Sequence, residues 1–428
     1  MQTKMLLSSP YKVKGEILLP GSKSITNRAL LMASMSTGIT HLKNVLYSDD
    51  VKYMLNALKI LGVKYIFSSK KRTCYIYGQG REFPQNKNIT LYLGNAGTAV
   101  RSLLSVLSIK NNNIIITGDK RMQERPIKHL VNALVQGKST LKYLKKKGFL
   151  PIQTQGGFLG GKIILNGNIS SQFLTAILIA SPYAPLKTKI LIKGELVSKP
   201  YIKMTIKMME SFGVYVKNKK YKKFYILNKQ NYISPKNYYI ESDASSASYF
   251  LAAAAIKGGQ VSVIGVGKNS IQGDIKFNDV LKKMGAKIFF KKNKIICKKN
   301  KLKSINMDMN SIPDAAMTIA VTSLFAKGIT TIRNIYNWRV KETDRLFAMA
   351  TELRKVGAII EEGKDYLKIN PPKIFKKSEI NTYNDHRIAM CFSLISLSGV
   401  PVTLINPECV NKTFPNYFLD FFSICQYK

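Results

Sequence analysis

Acidic side chains are scarce in this 428-residue chain: 24 Asp and Glu stand against 67 Lys and Arg, a formal surplus of 43 positive charges. Histidine is scarcer still, with three, and the five cysteines (Cys74, Cys297, Cys391, Cys409, Cys425) are odd in number and show no C-x-x-C spacing. That pattern argues against a disulfide framework or zinc site and fits a reducing cytoplasm. No uncharged run is long and apolar enough to span a bilayer; the least charged stretch, 389–405, is broken by serines and by Gly399-Val400-Pro401. The first residues offer only Met5-Leu6-Leu7, too little for a signal peptide's apolar region. Two nucleophile or nucleotide patterns are also missing. There is no G-x-S-x-G, and Gly21-Ser22-Lys23-Ser24 is not a Walker A loop, because Ser22 separates the Gly from the Lys.

What is there, first, is lysine. The surplus has two readings: a nucleic-acid surface, or compositional drift toward residues with A/T-rich codons, which also enriches Ile, Asn and Tyr. The runs at 145–147, 217–223, 291–303 and 376–377 sit between or at the ends of alternating strand-like segments and form no single stripe. This favours drift, with no nucleic acid and no membrane as partners. The positive field would still draw in a small anion.

A repeat runs along the chain. The short alternating segments 38–45, 113–119, 188–195, 259–266 and 328–335 are each followed by a helical stretch that closes on a Gly: Gly62, Gly137, Gly213, Gly285 and Gly357. A closing Gly suits the left-handed residue that ends a helix. A sixth copy, 401–408, runs out near the C-terminus. Before each copy lies an apolar helix with a polar start, marked by Asn27, Asn95, Ser171, Asp243, Asp314 and Asp385, at intervals of 68, 76, 72, 71 and 71. The unit of about seventy residues reads strand, helix, strand, helix, strand pair, which predicts an α/β architecture. Three units per domain is the natural division. The boundaries are 21–241 for one lobe and 1–20 plus 242–428 for a second, discontinuous one.

All six helices open on Asn, Ser or Asp, residues suited to N-caps, and helix N-termini suit anions. Basic residues cluster near these starts: Lys23, Arg28, Arg101, Arg125 and Arg387, with Arg339, Lys341 and Arg345 in RNIYNWRVKETDR. On a continuous helix Lys341 and Arg345 would share a face, and Glu342 would pair with Arg345 at i,i+3. Several Arg and Lys together suit a ligand with more than one phosphate or carboxylate. The acids beside them carry two readings each. Asp314 is an N-cap or a base, and Glu342 is a structural ion pair or a proton donor. His386 could cap, bind phosphate or exchange protons.

Together the stretches LPGSKSITNRALLMASMS, LGNAGTAVR, GDKRMQERPIKHL, GNISSQFLTA, LVSKPYI, DASSASYFLAAAA, IPDAAMTIA, NIYNWRVKETDRL, YNDHRIAMCFSL and KTFPNYF resemble the 5-enolpyruvylshikimate-3-phosphate synthase family, nearly end to end and in order. The resemblance is to its glyphosate-sensitive class. It implies the two-lobed enolpyruvyl transferase fold, with six βαβαββ units, three per lobe around a pseudo-threefold axis, and an active site in the cleft between lobes. It also implies transfer of enolpyruvyl from phosphoenolpyruvate to the 5-hydroxyl of 3-phosphoshikimate with release of phosphate, in the shikimate pathway to chorismate and aromatic amino acids. A cytoplasmic monomer with no metal and no cofactor is expected.

Carried over by motif, the resemblance assigns Lys23, Ser24, Arg28, Ser170, Ser171, Gln172, Ser198, Asp314, Asn337 and Lys341 to 3-phosphoshikimate. It assigns Lys23, Asn95, Gly97, Arg125, Gln172, Arg345, Arg387 and Lys412 to phosphoenolpyruvate. Lys23, Asp314 and Glu342 are the implied catalytic residues; Asp314 takes the hydroxyl proton and Glu342 protonates the methylene carbon. One residue departs from the pattern: Ser102 follows Arg101 where the family usually has Pro, which predicts weaker glyphosate inhibition with activity retained. The related transferase that acts on UDP-N-acetylglucosamine relies on a Cys in the loop that here reads GDKRMQERP, without Cys.

Overall fold

A computed structural model describes residues 2–83 and 88–427. The chain divides into two compact units, Gly21–Ile240 and Met1–Pro20 with Glu241–Lys428.

One sheet plan recurs in both. In Gly21–Ile240 the strand Asn88–Tyr92 leads through the helix Gly97–Leu107 to a parallel partner, Asn113–Thr117, and the helix Lys128–Gln136 then leads to the hairpin Thr140–Tyr143 and Ile152–Gly156. The hairpin's second strand pairs antiparallel with 113–117. The same four-stranded order is made by Gly161–Asn166, Thr188–Lys193, Lys223–Ile226 and Val216–Lys219. In the other unit it is made by Asn306–Asp308, Thr330–Arg333, Leu367–Asn370 and Ile359–Glu362. The last sheet is shorter: Ser378–Asn381 and Val402–Ile405 are parallel, and Lys4–Leu7 closes it antiparallel.

Two sheets obtain their parallel edge strand from far along the chain. Gly15–Leu18 pairs with Gln260–Ile264, Val263 opposite Ile17. Asn237–Tyr239 pairs with Thr37–Lys43, Asn237 opposite His41. This exchange of edge strands makes one unit discontinuous, with crossings at Pro20–Gly21 and Ile240–Glu241. Gly21 is required there for a close approach: a Cβ would lie 2.0 Å from the Asn44 carbonyl oxygen.

The central helices are core elements. In Ala244–Lys257 every residue from Ala244 to Ile256 is buried, so this helix is apolar all round rather than amphipathic. Gly62, Gly213, Gly285 and Gly357 have positive φ, as a helix-closing glycine should. Gly137 differs: the left-handed residue is Lys138, and Gly137 is needed because a Cβ would meet the Phe158 ring at 2.2 Å. The lysine runs fall in separate exposed turns, 217–223 in one hairpin and 291–292 in another. No helix among the described residues is long and apolar enough to cross a membrane.

Candidate active site

In Gly21–Ile240 the anion-binding candidates gather at three helix starts. Lys23 opens the helix Lys23–Met35 and pairs with Asp50 at 3.0 Å. One turn on, Arg28 is buried; its Nε donates to Thr205 Oγ1 at 3.0 Å and its Nη1 to the Ser24 carbonyl at 2.8 Å. Thr205 in turn lies 3.4 Å from Thr175, so Arg28 ties together the helices Lys23–Met35, Lys199–Ser211 and Ser171–Ala180. Among the described residues no carboxylate pairs with Arg28, and burial lowers its guanidinium to about 10. A buried cation without a counter-ion is a standing demand for an anion.

Ser170 caps Ser171–Ala180 by accepting from the Gln172 N–H at 3.2 Å. Ser198, buried before Lys199–Ser211, has φ 53 and ψ 42, a left-handed conformation that costs a residue with a Cβ about 1–3 kcal/mol. The second cluster stands before Gly97–Leu107. Arg125 Nη1 donates to Asn95 Oδ1 at 2.9 Å, and Arg101 Nη1 donates to the Gly97 carbonyl at 3.1 Å. A side chain at Gly97 would displace both arginines, since a Cβ would lie 2.6 Å from Arg101 Nη1 and 2.9 Å from Arg125 Nη2. Ser102 is buried inside this helix.

In the other unit the centre is Asp314. Its Oδ1 receives Arg345 Nη1 at 2.9 Å and Lys341 Nζ at 3.4 Å, and its Oδ2 receives Arg387 Nη2 at 3.2 Å. Burial alone would raise its proton affinity, but Arg387, Lys341 and Arg345 outweigh that and hold the carboxyl well below the usual range. Arg345 is enclosed by two further acids, Asp385 (Nε to Oδ2, 2.7 Å) and Glu342 (Nη2 to Oε2, 2.9 Å). Burial pulls its guanidinium down, and Asp385, Glu342 and Asp314 more than reverse this. Lys341 is shifted down by burial, against the pull of Asp314. The buried side-chain oxygen of Asn337 accepts no hydrogen bond from any described residue. Lys412 ends the short 3-10 helix Pro407–Lys412.

Several expectations need correction. Of the six markers, only Asp243 and Asp385 cap their helices through a side chain, and in the third helix the neighbouring Ser170 does so instead of Ser171. Asn27 lies inside the first helix, where neither amide atom has a partner among the described residues. Asn95 precedes the N-cap Ala96, and Asp314 precedes the N-cap Ala315, because their side chains serve arginines rather than helix N–H groups. Lys341 and Arg345 do not share a helix face. A 3-10 helix ends at Val340 and the next helix starts at Arg345, capped by Asp344, so the two cations reach Asp314 from different elements. The cluster around Asp314 is also not a plain cationic wall: Lys341, Arg345 and Arg387 are matched by Asp314, Glu342 and Asp385. Asp50, the partner of Lys23, was not singled out in the sequence. The signal was there, as Ser48-Asp49-Asp50 in a chain so poor in acids.

The α/β fold is that of an enolpyruvyl transferase. The solved enolpyruvyl transferase NikO from Streptomyces tendae shares the fold, with TM-score 0.80 at 14% identity, covering 99% of this chain and 98% of that one. A solved EPSP synthase from Acinetobacter baumannii superposes with TM-score 0.83 at 27% identity, over 100% of this chain and 99% of the other. Residues 7–421 match the family described as EPSP synthase (3-phosphoshikimate 1-carboxyvinyltransferase). Among curated proteins bearing the latter name, that of Buchnera aphidicola subsp. Acyrthosiphon pisum is 61% identical over 424 residues, 99% of each chain. That of Cronobacter sakazakii is 57% identical over 418 residues, 98% of each. The chain belongs to the EPSP synthase family.

Proposed function

We propose that this chain transfers the enolpyruvyl group of phosphoenolpyruvate to the 5-hydroxyl of 3-phosphoshikimate and releases phosphate, the reaction of its family in the shikimate pathway. The observation that carries the mechanism is the contact of one largely buried carboxylate, Asp314, with three cations. Such a carboxylate stays ionised but is a weak base. It gains basicity when anionic substrate groups take over Arg345, Arg387 and Lys341. Binding of the phosphoenolpyruvate carboxylate by Arg345 and Arg387 would thus arm Asp314 at the moment both substrates are present.

Asp314 then accepts the proton of the 5-hydroxyl as its oxygen bonds to C2 of phosphoenolpyruvate. Glu342, whose ion pair with Arg345 loosens in the same exchange so that it takes up a proton from solvent, gives that proton to the methylene carbon to form a methyl group. The tetrahedral adduct next returns a methyl proton to the Glu342 carboxylate and expels phosphate, which carries away the proton held by Asp314, and the double bond of the product is restored. Lys23, Asn95, Gly97, Arg125, Gln172 and Lys412 would also bind phosphoenolpyruvate. Lys23, Ser24, Arg28, Ser170, Ser171, Gln172, Ser198, Asn337 and Lys341 would bind 3-phosphoshikimate. The uncompensated Arg28 supports a phosphate there, and the buried, unsatisfied Asn337 oxygen supports a ring hydroxyl. Charge neutralisation and orientation supply most of the rate.

The free cysteines, with the Cys74, Cys297 and Cys391 thiols pushed by burial up to about 12, support a cytoplasmic setting. The test is phosphate release with each substrate alone and with both. Release only with both, abolished in Asp314→Ala and strongly reduced in Glu342→Gln, is expected. Release from phosphoenolpyruvate alone would sink the assignment.

A further inference from the structure

Glu352 is a fully buried acid in the unit that holds Asp314, and none of its hydrogen bonds goes to a substrate-binding candidate. It lies on the helix Arg345–Lys355, two turns after Arg345, with 0% of its surface exposed. An i,i+3 pair with Lys355 at 2.7 Å does not account for that burial, since Lys355 is itself half exposed. The other bonds of Glu352 point elsewhere: Oε1 accepts from the Tyr383 hydroxyl at 2.8 Å and Oε2 from the Asn381 N–H at 3.2 Å.

Those bonds grip a strained turn. Tyr383 and Asn384 have φ 53 and 52, two consecutive left-handed residues with side chains. Asn tolerates this conformation, but Tyr does not readily adopt it. The turn is pinned by Tyr383 N–H to Asn381 Oδ1 at 2.9 Å and by Asp385 N–H to the Thr382 carbonyl at 2.8 Å. Immediately after it, Asp385 binds Arg345 and caps the helix that presents Arg387 to Asp314. The helix from Arg345 to Lys355 is therefore held to the 381–387 segment at two points, Arg345 with Asp385 and Glu352 with Tyr383.

We propose that Glu352 is a positioning residue. Through the Tyr383 hydroxyl it holds the left-handed pair Tyr383–Asn384, and the pair sets Asp385 against Arg345 and Arg387 against Asp314. Strain of this kind persists where the surroundings over-determine it, and it concentrates at functional sites. Burial, followed by the bond to Glu352, keeps the Tyr383 phenol protonated, so it is always a donor. The inference rests on the assignment of Arg345 and Arg387 to phosphoenolpyruvate.

The experiment is steady-state kinetics with both substrates on the full chain, for wild type, Tyr383→Phe, Tyr383→Gly and Glu352→Ala, with melting temperatures alongside. Tyr383→Phe should raise KM for phosphoenolpyruvate roughly tenfold and leave KM for 3-phosphoshikimate within about twofold. Tyr383→Gly lacks the hydroxyl too, but takes the left-handed conformation without steric cost, so it should sit closer to wild type than Tyr383→Phe. Glu352→Ala should follow Tyr383→Phe; if it does not fold, the two Tyr383 variants decide. An unchanged phosphoenolpyruvate KM in Tyr383→Phe, or equal rises for both substrates, would overturn the proposal. Wild-type protein inert toward the substrate pair would instead overturn the functional reading beneath it.

Discussion

Arg345 donates to Asp385 through both Nε and Nη2, at 2.7 and 3.2 Å, and the two side chains are 1% and 0% exposed. A pair so enclosed is costly to break from one side. Removing the carboxylate strands a buried guanidinium and the first N–H groups of the helix it caps. Asp385→Ala should therefore lose about 3–5 kcal/mol of stability in urea unfolding. A loss below about 1 kcal/mol would mean that Glu342 and Asp314 alone satisfy Arg345.

Asp314 carries a pH signature. Its carboxyl is held below the ordinary value of about 3.9, because Arg387, Lys341 and Arg345 outweigh the burial that alone would raise it. Stability from a lowered acid is present above the unfolded value and lost as pH falls toward the folded one. The stability gap between wild type and Asp314→Asn should be flat from about pH 5 to 7 and shrink below about pH 4. Thermal unfolding across that range measures it, and a gap that widens in acid would contradict the geometry.

Arg28 makes the opposite case, a buried cation with no acid beside it among the described residues. Arg28→Met should leave the unliganded protein as stable as wild type, or more so, because an unpaired buried charge is removed. It should also abolish the rise in melting temperature that 3-phosphoshikimate produces. Retention of that rise in the variant would remove Arg28 from the phosphate site.

Gly97 separates stability from binding. Gly97→Ala gains helix propensity, up to about 1 kcal/mol. Its Cβ, however, would crowd Arg101 Nη1 at 2.6 Å and Arg125 at 2.9 Å, so both guanidinium groups must shift. A variant at least as stable as wild type, with KM for phosphoenolpyruvate raised at least about tenfold, is expected. Unchanged KM would show that neither arginine is placed for this substrate.

Ser102 lies inside the same helix, buried, five residues after Gly97. Ser102→Pro should strengthen glyphosate inhibition while activity persists, at a stability cost of up to about 3 kcal/mol for an interior proline. Inhibition constants for the two proteins decide, and equality would count against a role for this position.

The parts that were legible in the sequence are local. The apolar helices, the alternating strands and the glycines at 62, 213, 285 and 357 follow from periodicity and from conformations open to few residues. Polar starts were legible as starts, but not which of them cap. Asn95 and Asp314 have the right chemistry for caps and are claimed instead by arginines 30 and 31 residues away. The resemblance reached the substrate-binding candidates because their motifs are long.

Spacing alone could not reveal which charges neutralise one another. Lys23 with Asp50, Arg28 with Thr205, Arg345 with Asp385 and Tyr383 with Glu352 join residues on separate elements, up to 177 positions apart. Nor could it show that Ser198, Tyr383 and Asn384 would be forced into left-handed turns. Residue order and type set the elements and the chemical kinds available. The partners are a property of the folded chain, because ion pairing and backbone strain depend on through-space distance and burial, which no one-dimensional period encodes.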